Sequence, residues 1–304
     1  MDEDTEMYLM LLLSDGNLPT GSFVASSGLE AYVKHGFFGI PSSNSGPTRT
    51  SSLTSSPSPP SLTRSTINFI RDSLQTYAHC SLPFISAVHD VCRPVKDESA
   101  TGAADDALTS LKELDDLYES MTLNHIARRA SKAQGVALLT LLSRGMTRPL
   151  WLQDPPAGSP DKSILLEKLA DDLKLEIRKG VVYGHLPICW GILTATLGLS
   201  CERSKHLHIF LHARSLVSAS IRMNTLGPYA AQQLLLHVIR PLIDNVVMDC
   251  SKSQICLVRR SPSTIVLVDP TVDDEEENGP ATTWPLGEIL GARHDLQHSR
   301  IFNS

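Results

Sequence analysis

The sequence predicts an all-α fold, a single-domain helical bundle of roughly eight to ten helices. Three observations predict it. Apolar residues recur at spacings of three and four along most of the chain, which places them on one face of a helix. Aromatic residues make up only 5% of the 304 residues, so the core is built from Leu, Ile, Val and Ala, a composition that suits packed helices better than a β-sandwich. Only Gln254–Arg259 and Thr264–Asp269 read as strands, through Ile255, Leu257, Ile265 and Val266, and two short runs do not make a sheet.

Taken in order, the chain opens with Asp2, Glu3, Asp4 and Glu6 ahead of a short apolar run, Met7 to Leu13. A secretory leader needs a basic start and a longer apolar stretch, so a cytoplasmic protein is expected. Pro19 and Gly21 shape a turn, Ser22 is placed to cap the helix that follows, and Leu29 starts its apolar face. Residues 41–64 are rich in Ser, Thr and Pro and bury too little apolar area to order themselves, which predicts a disordered insertion. Pro94 to Asp105 is small and polar, a second surface loop.

Leu108, Leu111, Leu114 and Leu117 fall at steps of three with acidic residues between them, and His125 to Ser143 forms an Ala- and Leu-rich helix ending near Gly145 and Pro149. Lys179-Gly180 stops one helix before another that runs towards Leu199. The stretch Leu186–Leu199 is largely apolar and shorter than the ~20 residues that cross a bilayer, so it reads as a buried helix. Phe210, Ala213, Val217 and Ile221 share a face, with His206, Arg214 and Arg222 among the polar positions. Ala230 to Val247 continues the series, kinked or divided at Pro241. Residues 269–285 carry Asp273-Asp274-Glu275-Glu276-Glu277 and then Asn278-Gly279-Pro280, an acidic loop insertion.

The formal charge of −6 and pI near 6.0 argue against nucleic acid as a partner. None of the six cysteines forms a Cys-x-x-Cys pair, which fits reduced thiols better than a disulfide framework. The sequence contains no Gly-x-x-x-x-Gly-Lys-Ser/Thr, Gly-x-Ser-x-Gly, His-Glu-x-x-His or Gly-x-Gly-x-x-Gly. The histidines are the remaining candidates for chemistry. His208 and His212 share a helix face at i and i+4, enough for two ligands of a metal that takes its third from elsewhere. His79 and Cys80, with His89 and Cys92, form a looser group. Neither has a recognised ligand spacing, so no metal ligand or catalytic residue is assigned. A metal-dependent helical enzyme using His208 and His212 stays open as the alternative, as does a helical interaction protein of another kind.

Several blocks, in order, resemble the UreF family of urease accessory proteins. The first is Leu18-Pro19-Thr20-Gly21-Ser22-Phe23, continuing through Ser26 to Gly28-Leu29-Glu30. Ala127-Arg128-Arg129-Ala130-Ser131 with Gln134-Gly135 is similar to the family's central helix, and Gly184-His185-Leu186-Pro187 with Gly191 to its Gly-His-x-Pro segment. Ile221-Arg222, Leu226-Gly227 and Gln232 follow, and Arg293-His294-Asp295 with Ser299-Arg300-Ile301-Phe302 matches the tail. Val24, Ala25 and Ser27 depart from the pattern.

The resemblance implies a helical protein that dimerises, binds the accessory protein UreD (UreH in some species) and recruits the GTPase UreG to apo-urease. Nickel is then handled by the complex, with no cofactor held stably by this chain. The resemblance also implies partner contacts. Arg128, Ser131 and Gln134 at i, i+3 and i+6 form a polar stripe suited to gripping a partner, while Arg222 stands near Gly227. Residues 286–304 are expected to be a partner-binding tail with little reason to fold alone, contributing Arg293, His294, Arg300 and Phe302.

Overall fold

A computed structural model describes residues 2–16, 18, 24–38, 59–96, 102–147, 162–253, 255 and 279–303. Within them lie eleven α-helices: α1 (Glu3–Leu13), α2 (Leu29–Lys34), α3 (Pro59–Lys96), α4 (Ala103–Met121), α5 (His125–Leu141), α6 (Lys162–Arg178), α7 (Leu186–Leu197), α8 (Cys201–Arg222), α9 (Pro228–Leu234), α10 (Arg240–Asp249) and α11 (Pro285–Ala292). No strand occurs among the described residues, in keeping with the all-α expectation.

Helix α7 is the hub. Every residue from Pro187 to Thr196 is buried, as expected of a helix that is apolar all round. It packs on α3, α5, α6 and α8. The 38-residue α3 runs alongside α7, α8, α4, α6 and α10 and supplies Phe69, Ile70, Leu74, Leu82, Phe84, Ile85 and Val88 to the one contiguous core. None of the helices among the described residues is long and apolar enough to cross a membrane.

On α4 the buried residues are Ala107, Ser110, Leu111, Leu114, Asp115 and Tyr118, whereas Leu117 is 36% exposed. The expected stripe at steps of three therefore drifts off the core face, because a true helix turns every 3.6 residues. The division at Pro241 is real. A π-helical turn, Leu235–Ile239, separates α9 from α10. Proline at 241 has no N–H to give to the carbonyl of His237 and its ring crowds that carbonyl, so a wider turn just before it relieves the clash.

Several loop expectations are corrected. Helix α3 starts at Pro59, so residues 59–64 of the expected disordered insertion are helical; residues 41–58 lie outside the described residues. Pro94 to Lys96 end α3 and Ala103 to Asp105 begin α4, so both ends of the expected second loop are helical; residues 97–101 lie outside the described residues. The start of α2 is set by Gly28, its N-cap at φ +85°, a left-handed conformation natural to glycine. The N-cap of α2 is thus Gly28 and not the expected Ser22. Pro19, Gly21, Ser22 and Phe23 themselves lie outside the described residues. So do both strand expectations apart from Ile255, which has no regular structure and packs partly against the core.

The acidic run 273–277 is also outside the described residues. The last part of the 269–285 segment is not a free loop, however. Cys80 Sγ donates to the carbonyl of Ala281 (3.2 Å), the hydroxyls of Thr76 and Thr283 meet at 2.8 Å, and Trp284 packs edge-on against Phe69 at 5.2 Å. Apolar contact with α3 outweighs the polar composition that suggested a solvated loop.

Candidate functional site

The blocks singled out in the sequence fold into two polar nodes on either side of α5. The first is buried. Asp115 of α4, fully shielded from solvent, accepts hydrogen bonds from the backbone N–H groups of Tyr183 (2.6 Å), Gly184 (3.0 Å) and His185 (2.8 Å). Ser131 Oγ accepts from the N–H of Leu186 at 3.0 Å, the first residue of α7. Buried N–H groups at a helix entry must find acceptors. Here side chains from α4 and α5 provide them, locking the Gly184-His185-Leu186-Pro187 segment against both helices.

His185 is fully buried at the centre. Its Nε2 lies 2.7 Å from Glu119 and its Nδ1 3.2 Å from Ser131 Oγ. Because Ser131 already accepts from Leu186, its own proton is free to go to Nδ1. The ring is then neutral, with its proton on Nε2 donated to Glu119. Burial lowers the His185 pKa, opposed by Asp115 and Glu119. Glu119 also meets Lys132 (2.9 Å) and Arg128 (3.4 Å). Burial raises its pKa, but the hydrogen bonds from Lys132 and His185 prevail and hold it below the usual carboxylate range.

Gly135 makes this node possible. A Cβ there would stand 2.2 Å from the carbonyl oxygen of Gly184 and 3.0 Å from Cys189 Sγ, so only glycine lets α5 approach α7 this closely. The expected outward stripe on α5 is thus corrected. Ser131 is buried, and Arg128 turns to Glu119 and to the carbonyl of Thr122 (2.8 Å). Of the three, only half-buried Gln134 has no polar contact recorded among the described residues.

The second node ties the C-terminal segment to the N-terminal motif. Glu30, 1% exposed, accepts from the N–H groups of Ile301 (2.8 Å) and Phe302 (3.1 Å) and from Lys34 Nζ (2.8 Å). Burial raises its pKa, yet these donors outweigh it and the net shift is downward. Asn303 N–H donates to the carbonyl of Val24 at 2.8 Å, and buried His294 donates through Nε2 to the carbonyl of Phe302 at 3.1 Å. The Phe302 ring is 2% exposed, with the Arg222 guanidinium 4.3 Å from its centroid. Gly227, expected beside Arg222, caps α9.

Outside this latch Asp295 binds Arg129 through two oxygens (2.9 and 3.0 Å) and Arg300 at 2.7 Å. Those hydrogen bonds hold the Asp295 carboxyl below its usual pKa. The expectation of a tail without structure of its own is therefore corrected. Residues 285–303 form α11, a 3₁₀ turn (His294–Leu296) and a strap folded onto this domain. Buried hydrogen bonds and one large aromatic anchor supply what composition alone lacks. Ser26 is fully buried just before α2, and a Cβ on Gly28 would stand 3.7 Å from the Cα of Gly291 on α11.

The histidine pair has other employment. His208 and His212 stack on the Tyr77 ring at 5.1 and 3.9 Å, and His212 Nε2 meets Ser73 Oγ at 3.1 Å. Burial pushes both down to about 3. No group of three candidate ligands occurs among the described residues. His79 lies against the carbonyl of Gln75 while His89 lies against Thr194, so the looser group does not converge.

Asp115, Glu119 and Lys132 escaped the sequence reading as site residues. Their signal was an acidic i, i+4 pair on α4 with Asp115 beside Leu114, an acid at a core position. Arg129 and Asp295 stood inside recognised blocks without a role.

With the geometry in hand, comparison with known proteins is direct. The family model described as UreF matches residues 63–239. The protein named urease accessory protein 6 from Cryptococcus neoformans var. grubii is 39% identical over 313 residues, covering 98% of this chain and 97% of its own length. A UreF-like urease accessory protein of Schizosaccharomyces pombe is 26% identical over 100% of this chain and 99% of its own. Urease accessory protein F of Oryza sativa subsp. indica is 28% identical over 73% of this chain and 65% of its own.

Proposed function

The chain belongs to the UreF family of urease accessory proteins, which gives it a role in urease maturation, and we propose that it fills this role as a non-catalytic scaffold. In this reading it works in the cytoplasm as a homodimer, binds UreD (UreH) and recruits the GTPase UreG to apo-urease. Nickel is cargo of the assembled complex, held by no stable site on this chain.

The observation that carries the proposal is the near full-length likeness to a urease accessory protein together with the folded terminal strap. The strap presents a set of exposed apolar side chains rather than burying all of them. Ile289 is 61% exposed, Leu296 74% and Ile301 60%, and Leu123 on the α4–α5 turn is 83% exposed. Asn124, next to Leu123, caps α5 through Oδ1 and donates through Nδ2 to the carbonyl of Glu288 (3.1 Å), which sets that turn against α11. Apolar side chains left exposed on ordered elements and rimmed by charges such as Arg129 and Arg300 suit a protein interface.

Co-expression with UreD and UreG of the same organism tests this. Size-exclusion chromatography with light scattering should show one species containing all three. Helical, monodisperse protein eluting alone beside folded partners would overturn the scaffold reading.

A further inference from the structure

The loop between α6 and α7, residues 179–185, is held from both ends and turns apolar side chains to solvent. Gly180, at φ +74°, ends α6. Its N–H donates to the carbonyl of Ile177 (3.0 Å), and that of Val181 donates to the carbonyl of Glu176 (3.1 Å). Asp115 fixes the other end through the N–H groups of Tyr183, Gly184 and His185. Between these anchors the side chains alternate, as they do along an extended chain. Val182 is buried, whereas Val181 is 55% and Tyr183 42% exposed. Val136 of α5, also exposed, borders the loop, its Cγ2 3.3 Å from where a Cβ on Gly184 would stand. Lys132 lies over the Tyr183 ring, 4.2 Å from its centroid.

Charge is unevenly spread around this patch, because two carboxylates serve four cations. Glu119 takes Lys132 and Arg128, and Glu176 takes Lys112 and Lys179. Arg178, exposed at the end of α6, forms no ion pair among the described residues. On α4, Asp116 is an exposed carboxylate four residues on from Lys112. The excess of positive charge therefore stands on the Arg178 and Lys179 side of the loop.

We infer that this loop is a docking site for a partner segment carrying an aromatic or aliphatic side chain next to Asp or Glu. The apolar side chain covers Val181, Tyr183 and Val136, and the carboxylate meets Arg178 and Lys179. With the backbone already fixed by Asp115 and Gly180, binding orders side chains alone, which lowers its entropic cost. The inference goes beyond the scaffold proposal and does not depend on it.

The test uses the full chain and a fluorescein-labelled peptide, Glu-Glu-Leu-Phe-Glu-Glu, read by anisotropy. Lys-Lys-Leu-Phe-Lys-Lys and Glu-Glu-Ser-Ser-Glu-Glu are the controls, and only the first peptide should bind. Val181→Ser with Tyr183→Ser should weaken binding about tenfold or more, and Arg178→Glu with Lys179→Glu should do the same. Met248→Ser, at an exposed apolar side chain of α10, should leave it unchanged. Circular dichroism and urea denaturation check that each variant is folded; the Asp115 hydrogen bonds go to backbone and survive both double substitutions. Equal affinity in either double variant, binding of the Ser peptide, or an equal loss in Met248→Ser would overturn the inference. Light scattering that shows a dimer lost in the Val181 and Tyr183 variant would do so too, by making a second copy the occupant. So would an affinity gain of about tenfold on deleting residues 273–277, which would make the occupant this chain's own acidic run.

Discussion

Replacing Gly135 with alanine is the sharpest structural perturbation the fold offers. The new Cβ would sit 2.2 Å from the carbonyl oxygen of Gly184, 2.9 Å from the carbonyl carbon of His185 and 3.0 Å from Cys189 Sγ. An ordinary C···O contact needs about 3.3 Å, so α5 and the entry of α7 must separate by about 1 Å. Two of the three obstacles are backbone, and no side-chain rotation relieves them. Overpacking of this kind costs about 1–3 kcal/mol. The same movement stretches the Ser131–Leu186 and Ser131–His185 hydrogen bonds, each worth about 0.5–1.5 kcal/mol net. Alanine's better helix propensity returns about 1 kcal/mol. The balance is a loss of about 1–5 kcal/mol. Urea denaturation followed by circular dichroism measures it, with Gly227→Ala as control. Gly227 has nothing within 4 Å of an added Cβ and an ordinary φ of −74°, so its variant should stay within about 1 kcal/mol of wild type. A Gly135→Ala protein within about 0.5 kcal/mol of wild type would refute the close-approach argument.

Phe302→Ala should cost about 3 kcal/mol, because it empties a fully buried aromatic site and removes the partner of Arg222; limited trypsin digestion should then cut at Arg300 faster, and unchanged stability with unchanged cleavage would contradict the latch. Glu30 has a lowered pKa, so its stabilisation is present above the ordinary carboxylate value of about 4.3 and is lost as pH falls through the lowered one. Strap cleavage in wild type should accordingly stay flat from neutral pH to about 5 and rise only below about 4, a rise that Glu30→Gln abolishes by releasing the strap at every pH. His208 and His212, pushed by burial to about 3, are neutral in the fold and charge on unfolding. Stability should fall as pH drops from about 6.5 towards 3, at up to about 1.4 kcal/mol per pH unit for each ring; a urea midpoint unchanged between pH 7 and pH 5 would show that the rings are not buried as described.

Much of this fold was legible because periodicity reports burial. The apolar run of α7 read as a buried helix, and Pro241 divided its segment through a mechanism visible in the residue itself. What escaped depends on contacts made across the chain. Composition marked 59–64 and 279–285 as loop, yet the first joins a 38-residue helix and the second is pinned by Trp284 and Cys80 against α3. The site divides in the same way. The residues quoted for the family resemblance did converge, with Ser131, Gly135, Gly184 and His185 in one node and Glu30, Arg222, His294 and Phe302 in the other. Their orientation did not follow from spacing. An i, i+3 stripe on α5 shows which residues share a face but not whether water or His185 lies opposite. Asp115 was hidden for the same reason, since its partners are backbone N–H groups about 70 positions away.

The central claim is a role in urease maturation, and its most direct test is urease itself in cells that lack this chain. Urease purified from such cells should be present in normal amount but poor in nickel and inactive, and expressing the chain again should restore both metal and activity together. Fully nickel-loaded, active urease in its absence would contradict the account.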